Sequence, residues 1–388
     1  MKKRIICATL ALTLAMTGCS LTGKTDSGSN TGASIDSTTE VTGDDSQTGS
    51  TVDDGSTSST VDDSSTGSSE DVTEVSTQHK GEPIIDSEGN YLFNPYVGAG
   101  LLKDEYPQEC WDALYNFIDA LREGKDTFEC PSQEAFDFCT NPAIWGEYFP
   151  VASLLITMDS CNEFNYQDGK GGIGYWIPKE EFLEKEKAFE ADIESILKEC
   201  VKSDYSDFEK AFYLYDYISK NFTYGHDMAD GSVPDDETFE RYGTYNCFVN
   251  RNGICSGLAP SYVYLLLQCG VDAIVVQSSD GAHAWAYVKI GNEYYYSDPT
   301  WGLRSENGDS LPLDYFLMSS EKRHESMSGD YGVYIFDVNA GEFASRNPFT
   351  ETSDKFDFLR DTTFVSIDSD KDILTYTDKT GNNVEYKY

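Results

Sequence analysis

The first ninety residues of the chain contain no aromatic side chain, and the whole chain is poor in positive charge. All 26 Tyr, 21 Phe and 5 Trp residues of the 388-residue sequence stand at or after Tyr91. Lys and Arg number 28 against 68 Asp and Glu, which gives a formal net charge of −40. Proteins that bind nucleic acid neutralise phosphates with clustered basic side chains. We therefore expect no nucleic-acid partner, and we expect the aromatic-rich part to be the part that folds.

The N-terminus has a short apolar run with the features of an export signal. Basic residues 2–4 precede the apolar run Ile5–Met16, which is too short for a stable transmembrane helix. The run leads into Met-Thr-Gly-Cys, which resembles a bacterial lipobox, whose Cys is lipidated and becomes the new N-terminus. We predict that residues 1–18 are a lipoprotein signal peptide and that Cys19 anchors the protein at the extracellular face of the cell membrane. An ordinary cleaved signal or an uncleaved signal anchor is the alternative.

Residues 19–80 consist mainly of Ser, Thr, Gly and Asp, with almost no apolar side chains. Such a segment cannot bury enough surface to offset its ordering entropy. We predict a disordered tether with an r.m.s. span of roughly 40–50 Å for about 60 flexible residues. The tether would hold the folded part away from the membrane.

Two glycine-rich patterns match nucleotide-binding motifs without the required context. Gly18–Thr25 fits GxxxxGK[ST], and Gly169–Gly174 fits GxGxxG. A P-loop needs a preceding buried strand, and a dinucleotide motif must open a helix. The first pattern overlaps the predicted signal cleavage site, and Tyr-Trp-Ile-Pro follows the second. We predict no nucleotide site, and we predict that the second pattern is a flexible loop.

The cysteines are not spaced as zinc ligands. The chain has 10 Cys residues but no CxxC pair, so a structural zinc site is not expected. We expect neither a metal nor a cofactor. The sequence leaves open whether cysteines of the folded part pair as disulfides.

Periodic patterns divide the folded part into three predicted segments. Helical spacing predicts helices over Tyr106–Glu123 and Lys179–Lys202, and a third helix after the capping box Ser206–Glu209. The predicted segments, in chain order, are a mainly helical N-terminal lobe (81–205), a core (206–305) and a C-terminal β-rich extension (306–388). The extension ends in three predicted short strands, at 363–367, 372–377 and 384–388.

Cys255 stands at the predicted start of a buried helix. Apolar residues recur at helical spacing from Leu258, and Gly270 is a C-terminal stop signal. At a helix N-terminus the dipole and the free amides favour the thiolate. Pro260 lacks the N–H that would bond to the Ser256 carbonyl, so we expect the first turn to be distorted or the helix to begin later.

A predicted hairpin then brings a histidine and an aspartate together. Gly291-Asn292 is a two-residue turn signal between two alternating strands. With those two residues as the loop, Trp285 faces Asp298, and His283 lies on the same face of the ribbon. A register shifted by one residue would put His283 and Asp298 on opposite faces.

The predicted site has a thiol at a helix N-terminus, an imidazole on a strand and a carboxylate to orient the imidazole. This arrangement is typical of a cysteine acyl-transfer enzyme. We predict Cys255 as the nucleophile, His283 as its acid–base partner and Asp298 as the group that fixes the tautomer of His283. Backbone amides at the helix start would stabilise the oxyanion.

Three motifs in this order resemble those of the bacterial transglutaminase-like superfamily: Gly-Ile-Cys255-Ser-Gly, His283-Ala-Trp285 and Asp298-Pro-Thr-Trp301-Gly. The resemblance covers roughly residues 200–305. It implies an α+β fold with a papain-like, transglutaminase-like core. It also implies attack of Cys255 on an amide of a protein or peptide substrate, a thioester intermediate, and transfer to an amine donor or to water. Trp285 and Trp301 are candidate substrate-binding residues beside the site.

Two other functions remain open from the sequence. The same three residues would serve a cysteine protease or a cell-wall peptide amidase. A catalytically idle domain could instead bind peptides or glycans through aromatic residues such as Tyr294 and Tyr296. His226 is a weaker catalytic candidate near the rim of the site, whereas His79 and His324 are predicted to be solvated surface residues.

Overall fold

A computed structural model of the protein describes residues 80–103, 105–155, 165–229, 243–278, 281–304, 310–326, 333–337, 342–345 and 349–388. The predicted signal peptide, Cys19 and the predicted tether up to residue 79 lie outside these residues, as does Cys161. Among the described residues, no helix combines the length and apolar character needed to cross a membrane.

The helices of the described part are α1 (Gln108–Arg122), α2 (Gln133–Cys139), α3 (Pro142–Tyr148), α4 (Lys179–Cys200), α5 (Asp207–Asn221), α6 (His226–Ala229), α7 (Thr244–Asn250), α8 (Cys255–Gln268) and α9 (Ser320–Ser326). The helices α1, α4 and α5 confirm the three predicted from apolar spacing. The predicted capping box of α5 is also formed. The Ser206 hydroxyl accepts the Glu209 N–H, and the Glu209 carboxylate accepts the Ser206 N–H at 2.8 Å.

The strands of the described part are β1 (Ile84–Ile85), β2 (Tyr91–Leu92), β3 (Thr127–Glu129), β4 (Tyr166–Gln167), β5 (Lys170–Gly172), β6 (Thr223–Tyr224), β7 (Asn252–Gly253), β8 (Ala273–Ser278), β9 (Ala284–Ile290), β10 (Glu293–Ser297), β11 (Val333–Asp337), β12 (Glu342–Ser345), β13 (Thr363–Asp368), β14 (Ile373–Thr377) and β15 (Asn383–Lys387). The largest sheet is antiparallel, in the order β10-β9-β8-β11-β12. Its strands β11 and β12, which no sequence pattern indicated, come from the segment assigned to the C-terminal extension.

Two smaller sheets test local predictions. The sheet β13-β14-β15 confirms the three strands predicted at the C-terminal end. The prediction of a flexible loop at Gly169–Gly174 is wrong, because β5 pairs there with β3 on one side and β4 on the other. Backbone hydrogen bonds to both neighbours hold this glycine-rich segment as a strand. Gly171 packs so closely on the Phe128 and Phe136 rings that a side chain would collide with them.

Buried side chains from all three predicted segments share one hydrophobic core. Helix α8 lies in this core, packed against α5, α7, β8 and β9. Every residue of α8 except Ser256 is buried, so its composition matches a helix enclosed on all sides. The boundaries predicted at residues 205 and 305 stay predictions. The fold is α+β, as expected.

Candidate active site

Cys255 is the first residue of α8, although Pro260 lies inside the helix. The prediction that Cys255 begins the helix is therefore confirmed, and the alternative of a later start is wrong. The Ile254 carbonyl accepts both the Gly257 N–H at 2.9 Å and the Leu258 N–H at 2.8 Å, so the first turn has an ordinary i→i−4 bond beside an i→i−3 bond. The N–H that Pro260 lacks would have reached only the Ser256 carbonyl, so the turn that carries the thiol still closes.

The surroundings of Cys255 combine helix-terminal amides with the strand that carries His283. The N–H groups of Cys255 and Ser256 are among those that a helix start leaves without an intrahelical acceptor, and the helix dipole is positive there. The Cys255 side chain is 8% exposed and packs with Ala259 and Ala284. Because Ala284 directly follows His283, the thiol lies against the beginning of β9.

The hairpin β9–β10 has the predicted register. Ser297 pairs with Ala286, and the same alignment continues back to the turn. Gly291, in that turn, has φ +60°, a left-handed conformation that glycine adopts without strain. Continued beyond Ser297, this register places Asp298 opposite Trp285, as predicted.

Asp298 is fully buried, and both of its carboxylate oxygens have partners. Its Oδ2 lies 2.6 Å from Nε2 of His283 and 3.2 Å from Nη2 of Arg323. Its Oδ1 accepts the backbone N–H groups of Thr300 at 3.0 Å and Trp301 at 3.1 Å. The carboxylate is therefore fixed in orientation on both sides.

Opposing effects set the charge of Asp298. Burial raises the pKa of Asp298. The charges of His283 and Arg323 and the hydrogen bonds from His283 and the Trp301 N–H lower the pKa by more than burial raises it, so the pKa lies below its ordinary value. Asp298 is thus ionised at neutral pH. An ionised carboxylate at this position can hold an imidazole in one tautomer and stabilise its protonated form.

Arg323, on α9, is a residue of this site that no sequence pattern indicated. Its side chain is 2% exposed. The guanidinium carbon lies 4.3 Å from the ring centre of Trp285 and 4.4 Å from that of Trp301, within the range of cation–π attraction. Arg323 stands in a short polar segment far along the chain from Asp298, so no periodic signal could have indicated its burial.

Trp285 and Trp301, the candidate substrate-binding residues, both stack on the His283 ring. Trp301 lies 4.7 Å from the imidazole with an interplanar angle of 21°, and Trp285 lies 6.1 Å away at 23°. Trp285 is 1% exposed and meets the Tyr296 ring edge-on at 5.9 Å, whereas Trp301 is half-buried. A substrate-binding role for either residue stays a prediction.

Helix α5 supports the loop that follows Asp298. The Tyr215 hydroxyl donates to the Asp298 carbonyl at 3.3 Å, and the Ser219 hydroxyl donates to the Gly302 carbonyl at 2.5 Å. The Arg304 N–H donates to the Ser219 carbonyl at 3.1 Å. The helix predicted from its capping box thereby fixes the backbone that presents Asp298.

The other histidines of the described part lie on the surface. His226 is exposed at the start of α6, beside the ring of Tyr224 at 5.2 Å. His324 is also exposed, as predicted, with Nδ1 3.0 Å from the Ser320 carbonyl oxygen. The cysteines of the described part are all free thiols.

Comparison with known proteins relates this site to one family. Residues 194–299 match the model of a family described as Transglutaminase-like superfamily. A solved structure described as "Crystal structure of a TGase" is 21% identical in sequence, with a TM-score of 0.27. The match covers 34% of this chain and 35% of that chain, so this chain spans about a third of the length of the solved protein. No curated protein matches the chain. The matched range contains Cys255, His283 and Asp298, and residues 194–299 are similar to a transglutaminase-like domain.

Proposed function

We propose that the protein is a cysteine acyl-transfer enzyme that attacks amide bonds of proteins or peptides with Cys255. The observation that carries the proposal is the 2.6 Å bond between His283 Nε2 and Asp298 Oδ2. This bond lies in a buried site beside the helix whose first residue is Cys255. Thiol, imidazole and carboxylate are the three groups that such chemistry needs.

In the proposed mechanism each group has one role. Asp298 holds the Nε2 side of the ring, and Nδ1 of His283 takes the thiol proton. The thiolate of Cys255 then attacks the amide carbon and forms a C–S bond. Helix-start N–H groups stabilise the resulting oxyanion. The C–N bond breaks as His283 returns the proton to the leaving amine, and a thioester remains.

The second half of the reaction releases the acyl group. An amine or a water molecule attacks the thioester carbon and gives a proton to His283. The C–S bond then breaks, and Cys255 is regenerated as a thiolate beside the protonated imidazole. The formal charge of −40 favours the approach of cationic amine donors and Lys-rich proteins. We therefore propose an amine as the acceptor, with water as the competing acceptor.

Ammonia release tests the acyl-transfer proposal. We expect the full-length protein to release ammonia from a glutamine-containing peptide and to incorporate a primary amine when one is present. Cys255→Ala should abolish both, because it removes the nucleophile. Cys200→Ala, which removes a half-buried thiol on α4, should leave both unchanged. Equal ammonia release by the wild type and by Cys255→Ala would refute the proposal.

The products also separate the alternatives. New peptide termini or free acids without amine incorporation would assign the domain to hydrolysis, as in a protease or a peptide amidase. An idle peptide- or glycan-binding domain would give neither product. In that case Cys255 would react with iodoacetamide only as the pH approaches the range in which an ordinary thiol ionises.

We further propose that lipid on Cys19 displays this activity at the extracellular face of the cell membrane. The support is the sequence of residues 1–19, in which a basic and apolar signal precedes Gly-Cys. Wild-type protein should partition into the detergent phase of a Triton X-114 extraction. Cys19→Ala should partition into the aqueous phase, because the acyl chains are lost. Aqueous partitioning of the wild type would overturn the proposal.

A further inference from the structure

Arg323 gives the buried site a positive charge that does not depend on His283. Asp298 Oδ2 contacts both His283 Nε2 and Arg323 Nη2, at 2.6 Å and 3.2 Å. Histidine gains and loses its charge near neutral pH, whereas a guanidinium keeps its charge throughout the range in which proteins fold. Of these two partners of Asp298, only Arg323 therefore has a charge that does not depend on pH in this range.

The proposed reaction makes this difference matter. His283 is protonated beside the thiolate and neutral once the thioester has formed. Without Arg323, Asp298 would then be a buried anion with no cation beside it, which is costly in a low-dielectric interior. With Arg323, the four groups Cys255, His283, Asp298 and Arg323 have zero net charge both in the ion-pair state and in the thioester state.

We propose that Arg323 is a positioning residue of this site, whose fixed charge keeps Asp298 ionised, and bound to His283, in both protonation states of the imidazole. The inference rests on the proposed acyl-transfer function and adds a residue to its machinery. Arg323 acts through Asp298 and needs no contact with substrate.

The groups that face Asp298 from neighbouring elements leave Arg323 as its lasting counter-charge. His283 approaches from β9. Tyr215, from α5, donates its hydroxyl to the Asp298 carbonyl, and burial raises the pKa of Tyr215 far above its ordinary value, so it stays neutral. Burial likewise raises the pKa of Tyr315, the residue whose carbonyl accepts the Asp298 N–H at 2.8 Å.

The thiol of Cys255 interacts electrostatically with Arg323. Burial lowers the pKa of Arg323, while the charges of Asp298 and then of Tyr315, Tyr296 and Cys255 raise it. Loss of the guanidinium should therefore raise the pH at which Cys255 becomes reactive.

Two substitutions of Arg323 can separate the effect of its charge from the effect of its packing. The guanidinium lies within 4.4 Å of both tryptophan ring centres, and Nη1 donates to the Ser326 hydroxyl at 3.2 Å. Arg323→Lys retains the charge but loses the planar fork and its stacking. Arg323→Met retains much of the volume but loses the charge. The two variants therefore make opposite predictions for a charge role and for a packing role.

The test follows alkylation of Cys255 by iodoacetamide across the pH range, quantified on the Cys255 peptide by mass spectrometry. Arg323→Met should move the midpoint of the Cys255 profile to higher pH, because a positive charge near the thiol is lost, and Arg323→Lys should leave it near the wild-type value. An unmoved midpoint in Arg323→Met, or an equal shift in Arg323→Lys, would overturn the proposal.

Unfolding of the variants provides a second measurement. Arg323→Met removes the fixed positive charge beside the buried Asp298 carboxylate, so it should melt at a lower temperature than the double variant Asp298→Asn/Arg323→Met. This comparison still decides the matter if Arg323→Met is too unstable to alkylate: a double variant that melts no higher than Arg323→Met would refute the charge role. It is also independent of catalysis. Failure of ammonia release would remove the acyl-transfer proposal alone, whereas an unchanged alkylation midpoint would remove the role of Arg323 alone.

Discussion

Gln268, at the end of α8, is the residue at which a single substitution tests the packing of this helix. Its side chain is fully buried. Its Oε1 accepts the Asn94 N–H, and its Nε2 donates to the Asn94 carbonyl, both at 2.8 Å. The amide thus serves the backbone of Asn94 as a neighbouring strand would. We predict that Gln268→Leu, of similar size, destabilises the protein without altering its chemistry.

The magnitude follows from the two backbone groups that lose their partners. Asn94 is 1% exposed, so water cannot replace the missing amide. Each unsatisfied buried group costs about 1–3 kcal/mol, and the added apolar burial of Leu offsets roughly 1 kcal/mol. We expect a net loss of about 3 kcal/mol in the free energy of unfolding, roughly a hundredfold in the folded-to-unfolded ratio.

Urea unfolding monitored by tryptophan fluorescence measures this loss. Gln133→Leu is the matched control, because Gln133 is exposed on α2 and bonds only to Asp137 in the described part; it should change stability by less than about 0.5 kcal/mol. Alkylation of Cys255 should keep its wild-type pH profile in Gln268→Leu, since the other end of α8 lies about 20 Å away. A loss below about 1 kcal/mol would refute the reasoning.

Three further substitutions test other contacts. Burial and then Glu186 raise the pKa of Glu190 from its ordinary value of 4.5 to about 8, so between these values the folded state holds a proton that the unfolded chain has released. The free energy of unfolding should therefore fall as the pH rises through this window, and Glu190→Gln should flatten the fall; an unchanged pH dependence of urea unfolding in that variant would contradict this. Tyr388→Phe removes the 2.9 Å bond to Glu209 and should cost about 1 kcal/mol in urea unfolding; an unmoved midpoint would argue against that bond. In Gly302→Ala the new methyl group would overlap a tyrosine hydroxyl of α5, so we expect a lower melting temperature and a loss of about 1–3 kcal/mol, and a wild-type melting temperature would show that the loop can shift freely.

The pairing of His283 with Asp298 could be predicted because strand geometry has a period of two. Once Gly291-Asn292 is taken as the turn, each residue of β9 has one partner in β10, and parity alone decides which side chains share a face. The helix start at Cys255 was harder to predict. The cost of Pro260 depends on which carbonyl loses its hydrogen bond, and local geometry decides whether the first turn still closes without that bond.

Local patterns could not predict the burial of Arg323 or the strands β11 and β12, because both depend on contacts between residues distant in sequence. The burial of Arg323 depends on two tryptophans and an aspartate distant in sequence, and an isolated Arg in a polar segment is typical of a surface residue. The residues of β11 have strand composition, but the partner strand β8 precedes them by a long interval. Such non-local pairing leaves no periodic trace in the sequence.

The ion pair between Asp298 and Arg323 also constrains how the sequence can change during evolution. Because each residue is buried against the other at 3.2 Å, loss of either leaves an unmatched charge, while loss of both is tolerated more readily. Among descendants of this chain, the two positions should therefore change together. A lineage that abandons catalysis could lose Cys255 in one step, yet it would keep Asp298 and Arg323 until both were replaced. Retention of the aspartate alone is thus a poor sign of an active enzyme.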